Sequence, residues 1–98
     1  MDQIRWTPQA ARDLDSIARF IAKDSPLYAH FFVEDVFAAV ERLKRFPASG
    51  RTVPEINNSS VRELVLGNYR IVYRLKSGRV ELLTIHHGAR LLSRSKLI

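Results

Sequence analysis

Cysteine is absent from the 98 residues, which excludes disulfides and any thiolate metal site. The opening MDQIRW carries an acid at its second position and no apolar run follows it. A signal peptide or membrane span is therefore not expected. No phosphate-cradling glycine loop occurs, and no serine sits in a nucleophile-elbow context. His30, His86 and His87 lack the helical HxxxH spacing of a metal site, so neither metal nor cofactor is expected. With no internal repeat and no low-complexity stretch, the expectation is one soluble cytoplasmic domain over residues 1–98, with no membrane partner.

Acidic side chains are scarce in one half only. Residues 1–49 hold seven basic and seven acidic side chains, whereas residues 50–98 hold nine basic and three acidic and carry the whole net charge of +6. Twelve of the sixteen basic residues are arginine, whose planar fork matches phosphate and carboxylate. A basic balance alone serves solubility. A surplus confined to one half points further, to a polyanionic partner, either nucleic acid or an acidic protein segment.

The strongest pattern lies from Val61 to Arg90, VRELVLGNYRIVYRLKSGRVELLTIHHGAR. Three alternating runs are separated by Gly67-Asn68 and by Lys76-Ser77-Gly78, which predicts an antiparallel meander. In the middle run Tyr69, Ile71, Tyr73 and Leu75 fall on one face, and Arg70, Val72 and Arg74 on the other. By the same parity His86 lies with Val80, Leu82 and Thr84, and His87 with Glu81, Leu83 and Ile85. One oily face and one basic face are expected. The basic face is the candidate working surface.

Upstream, Ile4-Arg5-Trp6 reads as a short strand. Thr7 caps and Pro8 opens a first helix, in which Ala10, Ala11, Leu14, Ile17, Ala18 and Ile21 recur at helical spacing. Ser25 and Pro26 start a second helix running to about Phe46, where Pro47 and the Ser49-Gly50 turn stop it. Its apolar residues sweep roughly half the circumference, wider than the ~100° stripe that one core contact needs. A hairpin partner absorbs part of the surplus. Val33 and Phe37, at its margin, are candidates for contact with another chain. Residues 46–60 read as an ordered connection, so the element order is β-α-α-β-β-β.

Several strings occur in one register along nearly the whole chain: Trp6 followed by AARDLDSIARFIA, then LKRFPASGR, VPE, VRELV, GNYRIVYRL and HHGAR. In this order they resemble the RelE/ParE superfamily of toxins from bacterial type II toxin–antitoxin modules, and its ParE-like branch more closely. The resemblance implies an α+β fold, a two-helix hairpin packed on an antiparallel sheet of about four strands. It implies a hetero-oligomer with a cognate antitoxin protein whose acidic C-terminal tail orders on binding. For the ParE-like branch it implies inhibition of DNA gyrase, with no catalytic group in the toxin, in the setting of plasmid stabilisation. For the RelE-like branch it implies cleavage of mRNA on the ribosome.

RelE-type cleavage uses basic residues on the sheet and a tyrosine near the C-terminus. Arg90 matches the basic position closing the last strand, while Val65 stands where the family carries a strand arginine. The tail LLSRSKLI contains no tyrosine. RNA cleavage needs a base for the 2′-hydroxyl, an acid for the leaving oxygen and cations for the phosphorane charge. Arg62, Arg70, His87 and Arg90 are the residues that would supply them. The binding alternative uses Arg62, Arg70, Arg74 and Arg90, with Val33 and Phe37, as contacts to antitoxin or target. Glu63 and Glu81 are too few for the arginines of one face, which is expected to await a partner's negative charge. Neither helix is basic along one side, so helix-in-groove reading of DNA is not expected.

Overall fold

In the computed structural model, which describes residues 3–88, two helices lie on one side of a five-stranded sheet. β1 (Gln3–Trp6) leads into α1 (Pro8–Ala22) and α2 (Pro26–Arg42); β2 (Arg51–Thr52), β3 (Val61–Leu66), β4 (Tyr69–Lys76) and β5 (Arg79–His87) follow. The strand order is β1-β5-β4-β3-β2. The meander β3–β4–β5 is antiparallel, as its alternation requires.

The hairpin on a sheet is as expected, with two refinements. β1 runs parallel to β5, with Ile4 opposite Val80. Parallel neighbours need a long connection, and the whole intervening chain supplies it. Arg51–Thr52 adds an antiparallel edge strand against Glu63 and Arg62, and two residues are too few to show alternation. The sheet is therefore mixed.

Local chemistry fixes the helix ends. The Thr7 hydroxyl accepts the Ala10 N–H at 3.1 Å, and Ser25 accepts the Tyr28 N–H at 3.1 Å, each followed by a proline. α2 stops at Arg42, short of Phe46. The N–H groups of Leu43, Lys44 and Arg45 reach back three residues to Val40, Glu41 and Arg42, tightening the end into a 3₁₀-like turn before Pro47.

Ala10, Val36, Ala39, Val40 and Leu43 pack on Ile71, Tyr73, Val80, Leu82 and Ile85 to form the core. A smaller cluster of Val53, Ile56, Val61, Val72 and Leu83 sits apart from it. Val53 and Ile56 come from the connection after β2, which thus covers the sheet face expected to be open. Each aliphatic side chain so buried contributes about 1.5–3 kcal/mol.

β5 carries one more residue than β4 along their shared ladder. Val72 stands opposite Thr84 while Tyr73 stands opposite Leu82, leaving Leu83 as the extra residue of a β-bulge. A bulge inverts the side-chain parity beyond it. His86 therefore stands opposite Arg70, and His87 opposite Tyr69, the reverse of simple alternation. Two side chains from the helical layer hold the bulge. Thr7 donates to the carbonyls of Leu82 (2.7 Å) and Leu83 (3.2 Å). Asp13 accepts the Ile85 N–H at 3.1 Å and the Thr84 hydroxyl. Among the described residues no helix is long and apolar enough to cross a membrane.

Candidate functional site

The arginines of β4 are answered by acids of their own chain. Arg70 is buried; its Nε donates to Glu63 at 2.6 Å, and its two terminal nitrogens donate to the two oxygens of Glu55 at 2.7 Å each. Glu63, also buried, accepts Arg51 Nε at 2.5 Å. The Glu55 carboxylate does most to hold the Arg70 pKa above its ordinary value, with burial opposing and Glu63 adding to it. Arg74 donates twice to one oxygen of Glu81, at 2.8 and 3.0 Å, and Arg5 donates to the other at 3.0 Å. The Arg74 hydrogen bond holds the Glu81 carboxyl below its usual range, against burial and with Arg5 and Lys76 assisting.

These contacts correct the expectation of an unanswered basic face. Arg51 and Arg70 balance Glu55 and Glu63, while Arg5 and Arg74 share Glu81 and leave one positive charge. Glu55 is the acid that sequence reasoning left out. It lies in the connection, at no spacing that ties it to β4. Its one sequence-level signal is its place between Val53 and Ile56, two aliphatic residues in a polar loop that need somewhere to bury.

Arg62 belongs elsewhere. It stands opposite Tyr73 in the ladder, whose ring belongs to the helix-side core. One terminal nitrogen of Arg62 donates to the carbonyls of Gly50 (2.9 Å) and Ala48 (3.4 Å). The Tyr73 hydroxyl donates to Pro47 O at 2.7 Å and accepts the Gly50 N–H at 2.9 Å. Together they fasten the turn that follows α2.

An apolar surface remains on the hairpin. Phe37 is 51% exposed, its ring 5.5 Å from Trp6, and Val33 beside it is half-buried. Leu27, Tyr28 and Phe31 are also exposed on α2. Sequence reasoning missed Leu27 and Phe31 as surface groups; their four-residue spacing, offset from buried Ala29 and Val36, is the signal. Next to Phe37 an open cleft of about 600 Å³ is lined by Arg5, Trp6, Lys44 and Arg79.

A sequence profile for the ParE toxin of the type II toxin–antitoxin system parDE matches residues 4–92. The chain belongs to the ParE toxin family. Y4kP of Sinorhizobium fredii, named as a toxin, is 45% identical over 88 residues, 88% of each chain. Toxin RelE2 of Caulobacter vibrioides is 35% identical over 92 residues, covering 93% of this chain and 100% of that one. Among solved structures, the chromosomal ParDE system of P. aeruginosa matches with a TM-score of 0.72 at 28% identity, over 89% of this chain and 96% of that one. The RelBE2 toxin–antitoxin complex of Mycobacterium tuberculosis matches with a TM-score of 0.59 at 25% identity, over 88% and 96%. The ParE/RelE resemblance drawn from the strings is thereby upheld, and the chain is a type II toxin–antitoxin toxin.

In this ParE-family chain, of the residues considered for RNA cleavage, Arg70 and His87 line one open cleft, and Arg62 lies apart from them. Arg70 is clamped by two carboxylates, and Arg62 is turned toward the helix-side turn. His87 stands opposite Tyr69 with their rings 5.5 Å apart, and Tyr69 lies against Phe32 at 5.1 Å. Arg90 lies outside the described residues. Of the residues considered for binding, Val33 and Phe37 share the hairpin margin, and Arg74 is a third exposed along its side chain. Among the described residues no three His, Cys, Asp or Glu side chains are grouped to hold a metal ion.

Proposed function

We infer that this ParE-family toxin acts in the cytoplasm as a binding protein, inhibiting DNA gyrase, and that a cognate antitoxin silences it. The observation that carries this reading is Arg70 held between Glu55 and Glu63. A ribonuclease needs such a guanidinium free for phosphate, with a base close to it. A toxin that works by occupying a protein target needs neither. The antitoxin expected here has an acidic, amphipathic C-terminal tail. Its apolar side chains cover Val33 and Phe37, and its acids reach Arg5 and Arg74, whose shared Glu81 leaves them one charge in surplus.

Cleavage of mRNA on the ribosome is the competing reading, supported by the RelE2 name of one relative. Inducing the chain alone, then together with the upstream reading frame, separates the two. Gyrase–DNA cleavage complexes trapped while transcripts stay intact, and relieved by the upstream frame, are the expected result. Transcripts cut before any chromosome damage would replace gyrase with mRNA as the target.

A further inference from the structure

β1 stands at the end of the strand order β1-β5-β4-β3-β2, so one side of it has no neighbouring strand among the described residues. The Thr7 N–H donates to Leu82 O at 3.2 Å. At steps of two along the strand, the main-chain groups of Arg5 and Gln3 turn toward β5 in the same way. Ile4 and Trp6 therefore aim their N–H and C=O groups away from β5, to the open side. That side forms a wall of the cleft beside Phe37, which Gln3, Ile4, Arg5 and Trp6 all line. Side chains alternate across the same edge. Ile4 and Trp6 pack toward the helices, Trp6 against the Phe37 ring, whereas Arg5 lies on the other face, bonded to Glu81. Charge decides what can settle there. Arg74 and Glu81 cancel, and Lys44 is answered by Glu41. Arg5 remains in surplus with Arg79, which stands opposite Gln3, and with Lys76, which stands opposite Arg79. A second copy of the chain would bring the same cations against these, which disfavours pairing of two toxin edges. An acidic segment is drawn in.

We propose that part of the antitoxin's acidic tail binds along β1 as a further strand of the sheet. Its main chain pairs with the open N–H and C=O groups of Ile4 and Trp6. An acid of the tail stands opposite Arg5, and the residues on either side of that acid are apolar and lie over Trp6 and Phe37. The proposal rests on the reading of this chain as a toxin silenced by such a tail, and adds how the tail is held and which residue selects it. Main-chain pairing supplies affinity whatever the sequence, while Arg5 and the apolar wall discriminate among sequences. β1 is already extended against β5, so the tail alone loses conformational freedom on binding.

Amide hydrogen exchange tests the added strand, comparing the full-length chain alone with its complex with the product of the upstream reading frame. Alone, the Ile4 and Trp6 amides should exchange about a hundredfold or more faster than those of Arg5 and Thr7, which face β5. In the complex they should slow into the same range. Ile4→Pro removes an N–H that β5 does not use and should weaken the complex about tenfold. Ile4→Val keeps that N–H and should weaken it about twofold or less. Arg5→Gln should weaken it about tenfold, whereas Arg19→Gln, which breaks an exposed ion pair with Asp15, should leave it unchanged. The exchange readout needs no variant, so it stands even where Ile4→Pro does not fold. A complex that forms while Ile4 and Trp6 keep their free exchange rates overturns the strand and leaves the antitoxin reading intact. A chain that the upstream product neither binds nor silences overturns that reading itself. Slow Ile4 and Trp6 amides in the chain alone, slower still as its concentration rises, would put a second copy on the edge in place of the tail.

Discussion

Asp13, in the second turn of α1, accepts the backbone N–H of Ile85 at 3.1 Å, joining the first helix to the last strand just beyond the Leu83 bulge. The β1 ladder ends opposite Leu82, and Asp13 satisfies an N–H of β5 that lies beyond that end. Asp13→Ala should therefore cost about 1–3 kcal/mol, the penalty for an unsatisfied buried group. Asp13→Asn keeps a carbonyl acceptor and should cost less. Urea denaturation of the three proteins measures the order, and equal losses in both variants would remove the N–H as the cause.

Arg70 and Arg74 are neighbours on one strand face but differ in consequence. Arg70→Ala takes a buried partner from both Glu63, which keeps Arg51, and Glu55, and should cost about 3–5 kcal/mol. Arg74→Ala leaves Glu81 with Arg5 and should cost about 1 kcal/mol or less. Charge reversal at Arg70 would set a third carboxylate beside Glu55 and Glu63, so Arg70→Glu is expected not to fold, whereas Arg74→Glu should fold and weaken antitoxin binding. Circular dichroism melts and a pull-down with the antitoxin distinguish them.

Gly50 has no room for a side chain. A Cβ there would lie 2.6 Å from the Tyr73 hydroxyl oxygen and 2.6 Å from the Glu63 carbonyl oxygen. Gly50→Ala must push the turn off the sheet and should cost about 1–3 kcal/mol. Tyr73→Phe removes the hydroxyl that ties Pro47 and Gly50. Combining the two should cost less than the sum of the single changes, because they share one contact.

Stability should fall at both ends of the pH scale for separate reasons. Glu81 sits below its ordinary value of 4.5, chiefly through Arg74, so the unfolded chain takes up this proton first. The stabilisation is complete above about pH 4.5 and is lost as pH falls through the lower folded value; Arg74→Gln should flatten this limb. Burial lifts Tyr73 above its ordinary 10.0, with the Gly50 N–H and the Arg62 charge opposing. Here the contribution is complete below about pH 10 and is lost as pH rises through the higher folded value. Tyr73→Phe should remove that alkaline slope, read as the urea midpoint against pH.

Local chemistry in the chain was legible wherever it acts over a few residues. Thr7-Pro8 and Ser25-Pro26 mark both helix starts, and the alternation from Tyr69 to Leu75 identifies the core face, on which Ile71 and Tyr73 are fully buried. The β3–β4 and β4–β5 turns fall where Gly67 and Gly78 supply positive φ. What escaped reading acts at long range. The bulge carries no glycine or proline to announce it, only the adjacent pair Leu82-Leu83 in an otherwise alternating run. Once it inverts the parity, every side-chain assignment for His86 and His87 inverts as well. Glu55 meets Arg70 through the path of a loop, and no periodicity encodes that path.

Ile4 lies opposite Val80, so β1 finds its place in the sheet only after both helices and the strands between them have been made. Until then the opening strand has nothing to lie against, and closing so long a loop carries an entropic cost that nearby contacts do not. A half-translated copy is accordingly unarmed. A product cut short before β5 lacks the strand that both β1 and β4 pair with, and should not close its sheet.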